Sequence, residues 1–264
     1  MNESAYLPSS SSELPEGPWL VLAPHPDDET FGMGGTLLLA KSANITIDVL
    51  FLTDGSAADS SDSSLAVTRE HEAQMVCKKL GIRNTLFWRE KDRGLSVSQH
   101  LTSRLSELII DNQYASVFFP SPLEPHPDHR TTAVIAWESL RQSQFRASPI
   151  SYEISIQSHT NQLIDISSVI EQKQAVMADY ASQLSQNHYI QRIIGLNQAR
   201  AWSLPLSVSH AEAFYLWPNE DKPLNALLLS IASKQSSSLA LPGSLPIVSV
   251  ITHTKNRPEF LREA

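Results

Sequence analysis

Residues 19–29 read WLVLAPHPDDE, an apolar run that is followed at once by histidine, aspartate and glutamate. Such a short apolar run is typical of a buried strand, and we predict a strand over Trp19–Ala23. Residues 116–130, SVFFPSPLEPHPDHR, repeat the pattern about a hundred residues later, with a strand over Val117–Phe119. Because an open parallel sheet places its ligand crevice outside the carboxyl ends of its strands, both polar clusters can face one pocket.

Strand and helix patterns alternate along the chain, as they do in α/β domains. Helices are predicted from near Phe31 to Ser42 and over Thr131–Arg141, and a strand over Ile45–Thr53. A continuous helix is predicted over Val169–Leu184 and a last strand over Ala213–Trp217. The alternation predicts a mostly parallel sheet with helices on both faces, and the polar clusters then lie at the carboxyl ends of its strands.

Composition limits the classes of function. The chain has 264 residues, 18% of them charged, and a formal net charge of -8 with both signs interspersed. The sequence holds no lysine- or arginine-rich patch, so nucleic acid is not expected as a partner. No apolar run approaches the roughly 20 residues needed to cross a bilayer, so no transmembrane segment is expected. The single cysteine, Cys77, fits a reducing compartment, and we expect a cytoplasmic protein.

Four segments are expected from changes in composition. Residues 1–17 are rich in serine and acid and are expected to form a flexible tail. Residues 18–233 hold the alternating strands and helices, and residues 234–246 form a linker with serine, leucine and proline. Residues 247–264 open a fresh β-branched strand pattern, IVSVI, and are interpreted as the truncated start of a second domain.

The two clusters together supply the donors of a catalytic metal site. Zinc favours imidazole nitrogen and carboxylate oxygen, and catalytic zinc sites commonly use three protein ligands and leave a position for water. His25 and Asp28 are three residues apart across a proline turn, and His129 would supply the third ligand from the second cluster. We predict these three residues as ligands of Zn2+ or of another divalent metal.

The remaining cluster residues suit the proton transfers of amide hydrolysis. Asp27 would accept a proton from metal-bound water, whose pKa a zinc ion lowers to about 7. His126 would stabilise the oxyanion and later donate a proton to the leaving amine. Asp128 would hydrogen-bond to His126 and orient it. We therefore predict Asp27, His126 and Asp128 as catalytic residues of a metal-assisted amide hydrolase.

Several of these residues also have simpler explanations. Histidine and aspartate beside proline often merely build a turn, although two such clusters, each after a buried strand, are hard to explain in this way. Glu29 fits a supporting carboxylate at a helix start better than a ligand. Glu212 lies in an otherwise apolar strand, where a buried acid needs a partner. Support of the site, a pair with Arg69 and a purely structural ion pair all stay open for Glu212.

The motifs resemble those of the PIG-L family, also called LmbE-like, of N-acetylglucosaminyl deacetylases. Residues 23–29, APHPDDE, are similar to that family's Ala-His-Pro-Asp-Asp-Glu, with one additional proline. Residues 125–129, PHPDH, are similar to its downstream His-Pro-Asp-His. Shorter agreements, such as TDG at residues 53–55, extend the resemblance over about residues 19–217.

This resemblance implies a Rossmann-like α/β fold, a divalent metal that is usually zinc, and hydrolysis of the acetamide on an N-acetylglucosamine unit. The three predicted ligands, the base, the acid and its partner all fall on matching positions of the family motifs. Two alternatives stay open. An amidase acting on a non-sugar acyl-amine would use the same metal site, and a non-catalytic sugar-binding module would use the pocket without turnover.

The end of the chain carries a second resemblance. Residues 245–251, LPIVSVI, with KNRP at residues 255–258, resemble the start of family 2 glycosyltransferases. This resemblance implies a covalently linked glycosyltransferase in a longer polypeptide. The expected function is therefore removal of an N-acetyl group from a small-molecule or glycoconjugate amino-sugar substrate, in the assembly of a glycan or glycoconjugate.

Overall fold

A computed structural model describes residues 8–56, 63–184 and 187–237. Seven strands in these ranges form one sheet in the order β3-β2-β1-β4-β5-β7-β6. Neighbours among β1 to β5 pair in parallel, and β7 runs antiparallel to both β5 and β6. The predicted mostly parallel sheet is thereby confirmed. The strands are β1 (Trp19–Ala23), β2 (Ile47–Thr53), β3 (Asn84–Glu90), β4 (Ser116–Pro120), β5 (Ser148–Tyr152), β6 (Gln162–Asp165) and β7 (Ala211–Leu216).

Helices flank the sheet. A second compact unit begins at Lys222 and contains the last of the described helices. None of the helices in the described ranges has both the length and the apolar character needed to span a bilayer. The helices are α1 (Asp28–Ser42), α2 (Ser63–Leu80), α3 (Gln99–Asp111), α4 (Pro127–Gln142), α5 (Ile170–Ala178), α6 (Ala181–Leu184), α7 (Tyr189–Arg200) and α8 (Leu224–Ser237).

The order of the strands reverses between β1 and β4, which lie side by side within the sheet. From β1 the chain continues outward to β2 and β3, whereas from β4 it continues to β5 on the other side. All three of β1, β2 and β4 are buried along their whole length, as expected for parallel strands covered on both faces. A ligand crevice forms at such a reversal, and both polar clusters follow its two strands.

Two helices begin earlier than predicted. Helix α1 begins at Asp28 rather than near Phe31, and α4 begins at Pro127 rather than Thr131. Proline is favourable at the first helical position because its missing N–H needs no partner there. The second cluster therefore forms the N-terminus of α4, whereas in the first cluster the helix begins at Asp28 and His25 and Pro26 precede it in a turn. The helix predicted over Val169–Leu184 is divided into α5 and α6, and α7 was not predicted.

Part of the segment expected to be a flexible tail contacts the domain. The N–H of Ser12 donates to the carbonyl of Leu163 at 2.6 Å, and the indole N–H of Trp19 donates to the carbonyl of Glu16 at 3.1 Å. Residues 1–7 and the predicted domain start at 247–264 lie outside the described residues. Helix α8 continues into the predicted linker, whose remainder also lies outside them.

A buried ion pair joins β7 to α5. The Nζ atom of Lys173 lies 2.7 Å from Oε1 of Glu212, and both side chains are fully buried. Nζ also donates to Oδ1 of Asn197 at 2.9 Å. Of the interpretations left open for Glu212, the pair with Arg69 is thus replaced by a pair with Lys173.

The same pair satisfies backbone groups at a kink in α1. The helix is interrupted at Met33, whose φ of -142° and ψ of 22° are not helical. The Glu212 carboxylate accepts the N–H groups of Gly35 and Thr36 at 2.8 and 2.7 Å, and Lys173 donates to the carbonyl of Phe31 at 3.1 Å. The ion pair therefore stabilises the helix whose first turn carries the acidic cluster.

Replacing Lys173 with Met should lower the free energy of unfolding by about 3–5 kcal/mol, because it leaves the Glu212 charge buried without its cation. Urea unfolding followed by tryptophan fluorescence measures this change. The double variant Lys173→Met/Glu212→Gln should recover part of the loss. Strictly additive losses in the single and double variants would contradict the proposed coupling between the two residues.

Candidate metal centre

The backbone at the start of α1 is strained. Asp27 precedes the helix with φ 138° and ψ -29°, a region that residues other than glycine seldom adopt. Its carbonyl accepts the N–H groups of Thr30 and Phe31 at 3.1 and 2.9 Å. The Asp27 side chain is buried and lines a cavity. Strain of this kind costs about 1–3 kcal/mol and is concentrated at functional sites.

The start of α4 places the second cluster. His126 is the N-cap residue, and its Nδ1 accepts the backbone N–H of Asp128 at 3.2 Å. His129 lies in the first turn of the same helix and is buried. Carboxylates at a helix N-terminus are stabilised by the helix dipole, which favours Asp128 here and Asp28 at the start of α1.

The three histidines predicted at the site lie together. Ring centroids are separated by 4.7 Å between His25 and His126, by 5.0 Å between His126 and His129, and by 5.4 Å between His25 and His129. One nitrogen from each ring lies within 4.8 Å of the others, an arrangement that could hold a metal ion. Two stretches about a hundred residues apart in sequence thus meet at one point.

Asp28 lies between two of these rings. Its Oδ2 accepts the backbone N–H of His25 at 2.9 Å and is 3.0 Å from Nδ1 of the same histidine. The same oxygen is 3.3 Å from Nε2 of His129. Asp28 therefore contacts both of the other residues predicted as ligands. Whether they bind a cation stays a prediction.

Asp128 has different contacts from those expected. Its Oδ2 lies 3.3 Å from Nε2 of His25 and accepts the backbone N–H of Arg93 at 2.7 Å. What reaches His126 is the backbone N–H of Asp128, not its carboxylate. This difference follows from the early start of α4, because an N-cap side chain accepts a backbone N–H from the first helical turn.

Sequence reasoning missed Asp92. This buried aspartate places Oδ1 3.1 Å from Nε2 of His25. With His25, His126 and Asp128 it forms a second group of donor atoms within 4.8 Å of one another. Asp92 follows β3, which ends at Glu90, so it lies at the same edge of the sheet as the two clusters. That position, directly after a parallel strand, was a signal available in the sequence.

Negative charge dominates around two of the imidazoles. Burial alone would lower the pKa of His25, but hydrogen bonds with Asp128, Asp28 and Asp92 outweigh it and raise this pKa well above its ordinary value. Burial also opposes protonation of His129, whose pKa is nevertheless raised to about 9, chiefly by the charge of Asp28. Surroundings that favour positive charge on imidazole also favour a bound divalent cation.

The pKa values of Asp27 and His126 are shifted by other causes. Burial raises the pKa of Asp27 well above its ordinary value, and the neighbouring charge of Asp28 adds to this effect. Burial lowers the pKa of His126, and positive charge on His25 and His129 lowers it further. Perturbed pKa values in a cleft are typical of acid–base sites.

The residues present fit a divalent cation. Imidazole nitrogen and carboxylate oxygen are the donors that zinc and related metals favour, and most of the donors here are buried. The buried Nδ1 of His129 has no hydrogen-bond partner among the described residues. The donor atoms that lie within 4.8 Å of one another come from His25, His126 and His129, or from His25, Asp92, His126 and Asp128. Asp28 belongs to neither group, but its Oδ2 contacts His25 and His129, and the set of His25, Asp28 and His129 stays a prediction.

The cluster lies in a cavity of about 580 Å³, a volume typical of small-molecule sites. Helix α7, absent from the sequence-based expectations, supplies part of its wall. The apolar part of the lining comprises Phe31, Ile154, Tyr189 and Ile193, and the polar part includes Arg69, Arg93, Ser155, Gln183, Asn187 and Arg192.

Comparison with known proteins gives concordant results. Residues 20–140 match the family model described as PIG-L, GlcNAc-PI de-N-acetylase. The diacetylchitobiose deacetylase of Thermococcus kodakarensis is 27% identical over 188 residues, which cover 64% of this chain and 70% of that protein. The probable N-acetyl-alpha-D-glucosaminyl L-malate deacetylase 2 of Bacillus subtilis is 27% identical over 121 residues, covering 42% of this chain and 54% of that protein.

A solved structure confirms the fold. The N,N'-diacetylchitobiose deacetylase of Pyrococcus horikoshii aligns with a TM-score of 0.69 at 24% identity, over 79% of this chain and 88% of that one. Residues 20–140 thus match the PIG-L family model, and deacetylases are among the proteins to which the chain is similar. The predicted resemblance is confirmed to that extent, whereas the resemblance of residues 247–264 to glycosyltransferases stays a prediction.

Proposed function

We propose that this protein is a metal-dependent hydrolase that removes the N-acetyl group from an N-acetylated amino sugar of the GlcNAc type. The observation that carries the proposal is the meeting of His25, His126 and His129. The buried carboxylates of Asp28, after β1, and Asp128, after β4, lie against these histidines. The homologues, which are deacetylases of chitobiose-type and GlcNAc-malate-type compounds by their names, support the substrate class.

Zn2+ is the proposed cation, held by His25, Asp28 and His129. When bound, a divalent cation polarises the acyl carbonyl and lowers the pKa of a coordinated water to about 7. Asp27 accepts the proton that the attacking water loses. Burial raises the pKa of Asp27, and a raised pKa makes the ionised carboxylate a stronger proton acceptor. The strained backbone of Asp27 fixes that carboxylate in the cavity.

His126 acts on the other side of the acetamide. Its Nδ1 accepts the N–H of Asp128, so the neutral ring carries its proton on Nε2. In the neutral ring that nitrogen can donate a hydrogen bond to the oxyanion of the tetrahedral intermediate. To act as the acid, the ring would first take a proton from solvent on Nδ1 and release the N–H of Asp128; it would then give its Nε2 proton to the leaving amine and return to the neutral form. Asp128 orients the ring through its main chain, and products are acetate and a free amino sugar.

The cellular setting is part of the proposal. The resemblance of residues 247–264 to family 2 glycosyltransferases supports a linked transferase that acts in the same assembly of a glycan or glycoconjugate. The single cysteine supports a reducing, cytoplasmic location. A freed amine would then be displayed on, or used in, the growing product.

A screen for acetate release tests the proposal. Purified protein supplied with Zn2+ should deacetylate N-acetylglucosamine conjugates with a kcat/KM at least about 100-fold above that for N-acetyl amino acids, because a site that hydrogen-bonds sugar hydroxyls rejects compounds without them. Preference for the amino acids would favour the amidase alternative. Binding of metal and sugar without turnover of any acyl-amine would favour the non-catalytic module.

A further inference from the structure

Glu124 is a buried carboxylate in the loop between β4 and α4, and its exposed fraction is 0%. Its Oε1 accepts the backbone N–H groups of Ile154 and Ser155 at 2.8 and 3.1 Å, and Oε2 accepts that of Ser155 at 3.2 Å. Ile154 and Ser155 follow β5 and line the cavity. Glu124 therefore holds part of the cavity wall in place.

The same carboxylate faces a proposed metal ligand. Oε2 of Glu124 lies 3.7 Å from Nδ1 of His129, the nitrogen that has no hydrogen-bond partner among the described residues. The other nitrogen of this ring, Nε2, faces Asp28 at 3.3 Å. The imidazole of His129 thus lies between two carboxylates, one inside the candidate metal centre and one behind it.

We infer that Glu124 is a positioning residue that receives the Nδ1 proton of His129 and thereby keeps Nε2 free as a metal ligand. Metal-binding histidines generally donate their second ring N–H to a carboxylate, a carbonyl or water, which fixes the tautomer and the ring orientation. Nδ1 of His129 and Oε2 of Glu124 are 3.7 Å apart, which is longer than a hydrogen bond. The inference predicts that these two atoms come closer when the cation binds. The inference rests on the proposed metal site.

Replacing Glu124 with glutamine separates the positioning of His129 from the support of the cavity wall. The amide oxygen of Glu124→Gln can still accept from Ile154 and Ser155. Its NH2 group, a donor, would face Nδ1 of His129 and favour the tautomer protonated on Nε2. A ring protonated on Nε2 cannot offer that nitrogen to a cation.

The experiment measures Zn2+ affinity directly, by competition with a chromophoric chelator. Glu124→Gln should bind Zn2+ about 10- to 100-fold more weakly than the native protein. The matched control is Glu72→Gln, another buried glutamate, which accepts the N–H and hydroxyl of Ser182 at 3.0 and 2.6 Å. It should leave the affinity unchanged, and circular dichroism should show native helix content in both variants.

A measurement on the native protein covers the case in which Glu124→Gln fails to fold. In the Zn2+-loaded protein, 15N spectra of the His129 ring should show the proton on Nδ1, and coordination through Nδ1 would overturn the inference. Equal Zn2+ affinity in Glu124→Gln and native protein would overturn it as well, while leaving the proposed function intact. A native protein that binds no divalent cation would overturn both.

Discussion

Replacing Asp27 with Asn should lower kcat for acetate release by about 10²- to 10⁴-fold, the usual contribution of a general base, while the protein still binds its metal. Asparagine has nearly the shape of aspartate, and it tolerates positive φ better than most residues. The strained backbone at the start of α1 is therefore preserved, and what the variant loses is the group that accepts the proton. KM should change much less than kcat, since the acyl carbonyl can still bind.

The control for this variant is Asp179→Asn, which removes an aspartate from the solvent-exposed pair with Lys79. It should leave kcat and metal content unchanged, because a surface ion pair contributes at most about 1 kcal/mol to stability. Turnover at the native rate by Asp27→Asn would remove this residue from the mechanism. Loss of bound metal together with activity would instead identify Asp27 as a ligand.

The meeting of His25 and His129 could be predicted from sequence for a clear physical reason. Each lies just after a run of apolar residues long enough for one buried strand, and the carboxyl ends of parallel strands lie at one edge of a sheet. Neither inference needs the path of the chain in between. The predicted sheet and the proximity of the two clusters follow from this local pattern alone.

Other features depend on long-range packing that no local pattern encodes. The position of Asp92 directly after β3 could be predicted from sequence, but its contact with His25 depends on the place of β3 beside β2 at the end of the strand order. Lys173 pairs with Glu212 because α5 packs beside a kink in α1. Helix α7 forms part of the cavity wall without a motif of its own.

Two helices begin earlier than predicted, and the early start of α4 changed the role expected for Asp128. Pro26 lies in a turn, as predicted, but Pro127 is the first residue of α4, a position that is also favourable for proline. With α4 beginning at Pro127, the backbone N–H of Asp128 reaches His126 and its carboxylate contacts His25. The positioning of the acid thus depends on main-chain geometry that the side-chain pattern did not reveal.

Removal of the divalent cation by a chelator should reduce acetate release to below about 1% of its starting rate, and addition of Zn2+ should restore it. Without the cation, the site loses the group that would polarise the acyl carbonyl and lower the pKa of the attacking water. Activity and metal content, measured on the same samples during titration with Zn2+, should rise together and level off near one equivalent. Parallel additions of Mn2+ and Co2+ show which cations the ligands accept.

Thermal unfolding should show binding of the cation independently of catalysis. A ligand present at 100 times its Kd stabilises the folded state by about 2.7 kcal/mol, which corresponds to a rise in Tm of roughly 5–10 °C for a chain of this size. The variant Asp28→Ala should lose this rise, because it removes the oxygen that contacts both His25 and His129.

Full activity in protein that retains less than about a tenth of an equivalent of metal would contradict the metal-dependent mechanism, whatever the activity of Asp27→Asn. A metal-dependent Tm without activity would separate binding from turnover and point to the non-catalytic module.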